Sequence, residues 1–183
     1  MGTNTIEISE CGCADLLDAQ KIAYEPSGLT IESFSREKES HDYAASEFKI
    51  NHLRIKFRAA KITPTKVGQF VTIWKRIEKG PIQPFDLTDP FDLIVISVRD
   101  QDRLGQFVFP KEVLYEKGIV SKDGKGGKRG IRVYPPWDKT ENRQAIQTQK
   151  WQIPYFFEIP SNRSVDFAYL RKLFSQLGYT HSS

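Results

Sequence analysis

Three places in this 183-residue chain hold residue types whose spacing suits chemistry. The first is 124–130, GKGGKRG, four glycines interleaved with Lys125, Lys128 and Arg129. Glycines allow backbone N–H groups to point at a phosphate, and the cations supply charge. This is not a Walker A loop, because no glycine sits five positions before Gly127 and Arg129 stands where Ser or Thr is required. The second is Lys61. Leu53, Ile55, Phe57 and Ala59 alternate with Arg54, Lys56 and Arg58, the pattern of a half-buried strand, and its continuation puts Lys61 on the apolar face. A lysine there is either partly buried, where it needs an anionic partner, or at the rim with its stem laid over the sheet. The third is Glu47-Phe48-Lys49, whose spacing puts both polar side chains on one face of a strand. Metal-dependent phosphodiesterases need clustered carboxylates beside a lysine, and Glu37, Glu39, Asp42 and Asp92 are possible companions. A lone E-x-K is a weak signal, so no metal or other cofactor is assigned.

Other arrangements are excluded. His41, His52 and His181 show no ligand spacing with one another or with Cys11 and Cys13, which read as ordinary thiols of a reducing compartment. Tyr134, Trp137 and Trp151 flank the glycine block, where they suit base stacking, although such residues at strand ends equally serve a core.

Elements must position these groups. The pattern predicts a short helix at 14–23, a polar helix at 32–43 and a first strand at 44–50, then a turn at Asn51-His52 and a second strand ending at Thr63-Pro64. Further strands are predicted at 69–76, 92–99, 105–109 and 131–134, and an edge strand at 153–159. The 92–99 segment is apolar on both faces and belongs in the middle of the sheet. Helices follow at 111–115, from an Asp138/Glu141 capping pair to about Trp151, and at 164–178 along the Phe167, Leu170, Leu173, Phe174, Leu177 stripe. The sum is a mixed α+β domain with a central mixed sheet, antiparallel in its first half and flanked by helices. One domain over 1–183 is expected, with an N-terminal helical extension at 1–24, a sheet core at 44–159 and the C-terminal helix. Its longest aliphatic run, residues 93–96, is far short of a membrane span, and no secretory signal is evident, so a cytoplasmic monomer is expected.

The net charge of +4 hides a segregation. Residues 1–48 carry ten acidic and three basic residues, whereas 49–76 carry eight basic residues and no acidic one. Residues 111–151 add ten basic against five acidic. Two basic blocks suggest an anion-binding face if the fold brings them together.

The stretches FRAAKITPTKVGQFVTIWKR (57–76), PIQPFD (81–86), the block 93–138 ending in GKGGKRGIRVYPPWD, and QKWQIPYFFEI (149–159) closely resemble the MepB family. That family is bacterial and is named for a gene accompanying a multidrug efflux transporter. The resemblance implies a restriction-endonuclease-like α/β fold. Its signature blocks fall here on Arg58, Lys61, Lys66 and Gln69, on Arg99, and on Lys128, Arg129, Arg132 and Trp137. These are cationic, amide or aromatic, which suits holding a phosphate better than coordinating a metal. The reading is therefore a protein that binds phosphorylated ligands, nucleic acid or nucleotides, in a basic cleft formed by those nine residues. The alternatives are a metal-dependent nuclease or phosphodiesterase acting on DNA or on foreign or modified nucleotides, and a regulatory partner in a drug-response system.

Overall fold

The computed structural model describes residues 13–175. Its centre is a six-stranded sheet in the order β1(Glu32–Arg36), β2(Ser46–Ile50), β3(Leu53–Ala59), β8(Leu93–Asp100), β9(Arg103–Pro110), β11(Phe156–Glu158). Only β3 and β8 run parallel; the other neighbours are antiparallel, so the sheet is mixed with an antiparallel first half. The β2–β3 hairpin turns at Asn51 and His52, both at positive φ, the pairing that matches strand twist in a two-residue turn.

Both faces of β8 are buried, as its unbroken apolar run requires. On one face Leu93 and Val95 join Leu53, Ile55 and Phe57 under α1(Ala14–Ala19) and α4(Phe167–Leu173). On the other, Ile94, Ile96 and Val98 pack with Phe107, Phe109, Val71 and Val133. That second core is roofed by a three-stranded antiparallel sheet in the order β10(Gly130–Val133), β5(Gln69–Thr72), β4(Lys61–Ile62). A small hairpin, β6(Trp74–Arg76) with β7(Ile82–Pro84), continues from β5. The remaining helices are α2(Lys111–Glu116), entered from Pro110, and α3(Arg143–Gln152).

Several sequence expectations are corrected. Residues 32–43 are not one helix: Glu32–Arg36 is β1, which pairs with β2 through a bulge with Phe34 stacked on Phe48 at 6.4 Å, and only His41–Tyr43 forms a 3-10 turn. A segment with no apolar stripe gains more from completing a sheet edge than from an isolated helix. Residues 69–76 form two strands rather than one: β5 pairs with β10, a pairing the Ile73 N–H extends to the Arg129 carbonyl at 3.0 Å, and from Trp74 the chain pairs with β7 instead. Helix α3 starts at Arg143, and its cap is Asn142, whose side chain accepts from the Ala145 N–H at 2.8 Å; the Asp138/Glu141 pair lies before it. The edge strand shortens to β11 because residues 153–155, with Pro154, form a 3-10 turn. Leu177 and Gly178, the expected end of the last helix, and Cys11 and His181 lie outside the described residues; Cys13 is buried.

Two polar devices brace this frame. Under the first core, Tyr24 donates to the Gln106 side-chain oxygen, and the Gln106 amide donates to Ser97 Oγ at 2.8 Å, all three buried. Burial pushes the Tyr24 hydroxyl far above its usual pKa, keeping it a donor. At the other end, buried Asp86 accepts from Ser121 Oγ (2.7 Å), Thr88 N–H and Oγ1 (3.1 and 2.9 Å) and Gly124 N–H (3.1 Å). The Ser121 hydroxyl, followed by the backbone donors, holds this carboxyl well below the usual carboxylate range. Asp86 thus ties the start of the glycine-rich loop to the segment after β7.

Two outcomes are expected. Tyr24→Phe strands the Gln106 carbonyl in the core and should destabilise the fold by about 1–3 kcal/mol, read as a lower denaturant midpoint at unchanged slope. Because the folded Asp86 pKa is depressed, its contribution is present above the ordinary carboxylate value of about 4 and is lost as pH falls below it. Thermal melts between about pH 2 and about pH 7 should show the Asp86→Asn variant less stable at neutral pH, with a shallower acid decline than the parent.

Candidate phosphate-binding site

The small sheet is built on alternation. Val71 and Ile73 point into the second core, as do Ile131 and Val133, so Phe70 and Thr72 face outward with Gly130 and Arg132 opposite them. Outside this sheet, between it and α3, lies a cavity of about 800 Å³. Lys66 comes from the β4–β5 loop, Lys117 from the end of α2, Lys128 from the glycine block and Arg132 from β10. Phe70, Tyr134 and Trp151 supply aromatic surface, and Glu141 is the one carboxylate among the described lining residues.

Local structure shapes this wall. Arg132 donates to Thr63 Oγ1 at 2.8 Å and to the Val67 and Gly68 carbonyls at 3.4 and 3.3 Å, pinning the 63–68 loop. Gly68 has φ +83°, and a Cβ there would meet the Tyr134 ring at 2.6 Å, so only glycine lets the loop close on that ring. Gln152 is buried and clamps β10, accepting from the Tyr134 N–H at 2.8 Å and donating to the Arg132 carbonyl at 3.0 Å. Lys117 Nζ sits 5.6 Å from the Trp151 ring centre. Among the described residues, Lys66, Lys117, Lys128 and Arg132 have no ion-pair partner. Such a cluster of uncompensated cations is suited to receiving an anion.

The nine residues singled out in the sequence therefore separate. Lys66, Lys128 and Arg132 meet at this cavity. Lys61 does not extend the apolar face of β3. The strand ends at Ala59, the Ala60 N–H bonds the Ser97 carbonyl at 2.9 Å, and Lys61 turns into β4, exposed, with Nζ 5.0 Å from the Tyr43 ring. Arg129 is exposed beside the cavity's glycine block. The other four lie elsewhere. Arg58 is only 2% exposed and pairs with Glu37. Gln69 is buried with its amide on the Arg99 carbonyl at 3.1 Å. Arg99 turns to Asp15 and Asp18 of the N-terminal helical segment, at 2.6 and 2.8 Å. Trp137 packs edge-on against Phe156 at 5.7 Å in the second core. Lys117 and Phe70 escaped sequence reading: Lys117 follows a short helix with no motif, and the outward face of Phe70 shows only in the alternation with Val71.

A second cleft of about 480 Å³ opens over the polar ends of β2 and β3, beside the β6–β7 hairpin. Lys56 Nζ donates to Glu37 Oε1 at 2.6 Å and also to Glu47, and Arg58 closes on the other Glu37 oxygen. Burial lowers the Arg58 pKa against the opposing pull of Glu37. Burial raises the Glu47 carboxyl, but the Lys56 ammonium bonded to it leaves its pKa below the ordinary value. Glu47 and Glu37 thus do come together, but around Lys56 rather than Lys49, and Asp92 is taken by Arg54 at 3.1 Å. Glu39 is held by Arg76 at 2.8 Å.

The sequence matches the MepB-like family over residues 37–158. None of the curated proteins matches it. Among solved structures, the crystal structure of MepB aligns with a TM-score of 0.68 at 40% identity, covering 73% of this chain and 89% of that one. A bacterial homing endonuclease, I-Ssp6803I, aligns at 14% identity and a TM-score of 0.41, covering 82% and 91%; that likeness bears on neither fold nor chemistry here. With the matched span taking in the strands and loop that build both clefts, and the solved MepB structure 40% identical over an alignment covering 73% of the chain, this protein belongs to the MepB-like family.

Proposed function

We propose that this chain binds phosphorylated ligands, nucleic acid or nucleotides, in the cavity between the small sheet and α3, and that it does so in the cytoplasm. The observation that supports this is the set of four cations, Lys66, Lys117, Lys128 and Arg132, without ion-pair partners among the described residues, around one concavity with three aromatic rings. Ammonium groups and a guanidinium bond phosphate oxygens, and the rings offer faces to a base. The volume lies within the range of sites for small ligands. No helix among the described residues is long and apolar enough to cross a membrane.

A second reading, a metal-dependent nuclease or phosphodiesterase, draws support from Glu37 and Glu47 meeting at Lys56. A hard cation would have to displace the Lys56 ammonium, which already bridges the two carboxylates. This reading requires Mg2+- or Mn2+-dependent cleavage of DNA that Glu47→Ala abolishes.

The binding reading predicts that Lys128→Ala and Lys66→Ala each weaken binding of a labelled oligonucleotide. Each should reduce the slope of log affinity against log salt by about one. Their melting temperatures should stay close to that of the parent, since both residues are exposed and their side chains support no core. Salt-independent binding, or parallel losses of binding and stability, would count against the site.

A further inference from the structure

We propose that the site is not a closed mononucleotide pocket but one end of a track for several nucleotides of single-stranded nucleic acid, running across the outer face of the small sheet. This rests on the phosphate-binding reading above. The two clefts are joined by a row of residues in contact. Phe70, on the wall of the larger cavity, meets the Tyr43 ring edge-on at 6.2 Å. Lys61 Nζ lies 5.0 Å over that same Tyr43 ring, and Lys61 stands opposite Phe70 in the β4–β5 ladder. Thr72 Oγ1 donates to Ser40 Oγ at 3.3 Å, and Ser40 lines the second cleft together with Trp74.

Along this face every outward position is aromatic, cationic, small or hydroxylic. Opposite Thr72 stands Gly130, where a Cβ would strike the Phe70 ring at 2.7 Å, so glycine lets that ring lie against the β10 backbone along this face. Sheets that bind single strands use this combination: rings that stack on bases of any sequence, and cations that follow the backbone. Phe70 and Trp74 are four residues apart, roughly 13 Å along extended chain. One stacked step of a strand is about 3.4 Å, so rings at that separation cannot both serve a single nucleotide. A duplex keeps its base faces stacked inside and gives such rings nothing to hold.

Fluorescence anisotropy of the full chain at low salt provides the test. The probes are single-stranded oligomers of about two and about eight nucleotides, the matching duplex, and a nucleoside monophosphate. The longer single strand should bind about tenfold or more tightly than the dinucleotide, and more tightly than the duplex. Trp74→Leu, which keeps apolar bulk but loses a ring outside the larger cavity, should cut binding of the longer strand about tenfold and leave monophosphate binding unchanged, whereas Phe70→Leu, on the cavity wall, should weaken both. Ribo- and deoxyribo-oligomers run in parallel identify which backbone the track takes, and binding of either at the expected length fulfils the inference. Binding of the monophosphate as tightly as the longer strand, equal binding of the duplex, or unaffected binding by both variants overturns the track while leaving the phosphate site standing. Failure of every probe overturns both. The length dependence is measured on the parent chain, so the outcome does not hang on the variants folding.

Discussion

β8 is buried at six consecutive positions, Leu93 to Val98, five of them apolar, and so must lose water on both faces at once. Each face needs its own cover, and the architecture follows from supplying two. The helical cover takes α1 and the turns after it from one end of the chain and α4 from the other, all outside the family-matched span of 37–158. The β cover, β5 and β10, comes from inside it. Because the second cover is a sheet, its alternation leaves half its side chains pointing outward, and that outward half is the surface on which the proposed ligand would lie.

Charge is distributed by the same logic. The acidic first quarter of the sequence is not a solvated tail: Asp15 and Asp18 reach Arg99, Glu37 and Glu47 reach Lys56, Glu37 reaches Arg58, and Glu39 reaches Arg76. Those pairings neutralise much of the basic middle of the chain. Arg58 illustrates their cost and use. A guanidinium at 2% exposure survives only with a partnered carboxylate, and even so its Nε has no hydrogen-bond partner among the described residues. Of the 20 lysines and arginines that form no ion pair among the described residues, four, Lys66, Lys117, Lys128 and Arg132, line the larger cavity.

Period-two alternation in residues 53–59 and the two-faced run at 93–99 made the centre of the sheet legible, because both patterns report burial directly. Lys61 misled because alternation was carried past Ala59, the last residue that β3 pairs with β8, and the chain then enters β4. Residues 32–43 misled because pairing with β2, not local preference, makes β1 a strand. Of the site, Lys66, Lys128 and Arg132 were visible as basic residues beside glycine and strand signals. Arg58 and Arg99 looked identical to them in sequence; only contacts across 21 and 84 positions reveal that their charges are already spent.

Arg132 uses both hydrogens of one terminal nitrogen and one of the other on the 63–68 loop, so two of its five N–H groups remain. An anion taking those two would fill the guanidinium's hydrogen-bonding capacity while the loop contacts stay in place. Occupancy and loop order then share one free energy: a ligand that ties down Arg132 also slows local opening of the 63–68 segment, raising its hydrogen-exchange protection without any change in backbone position.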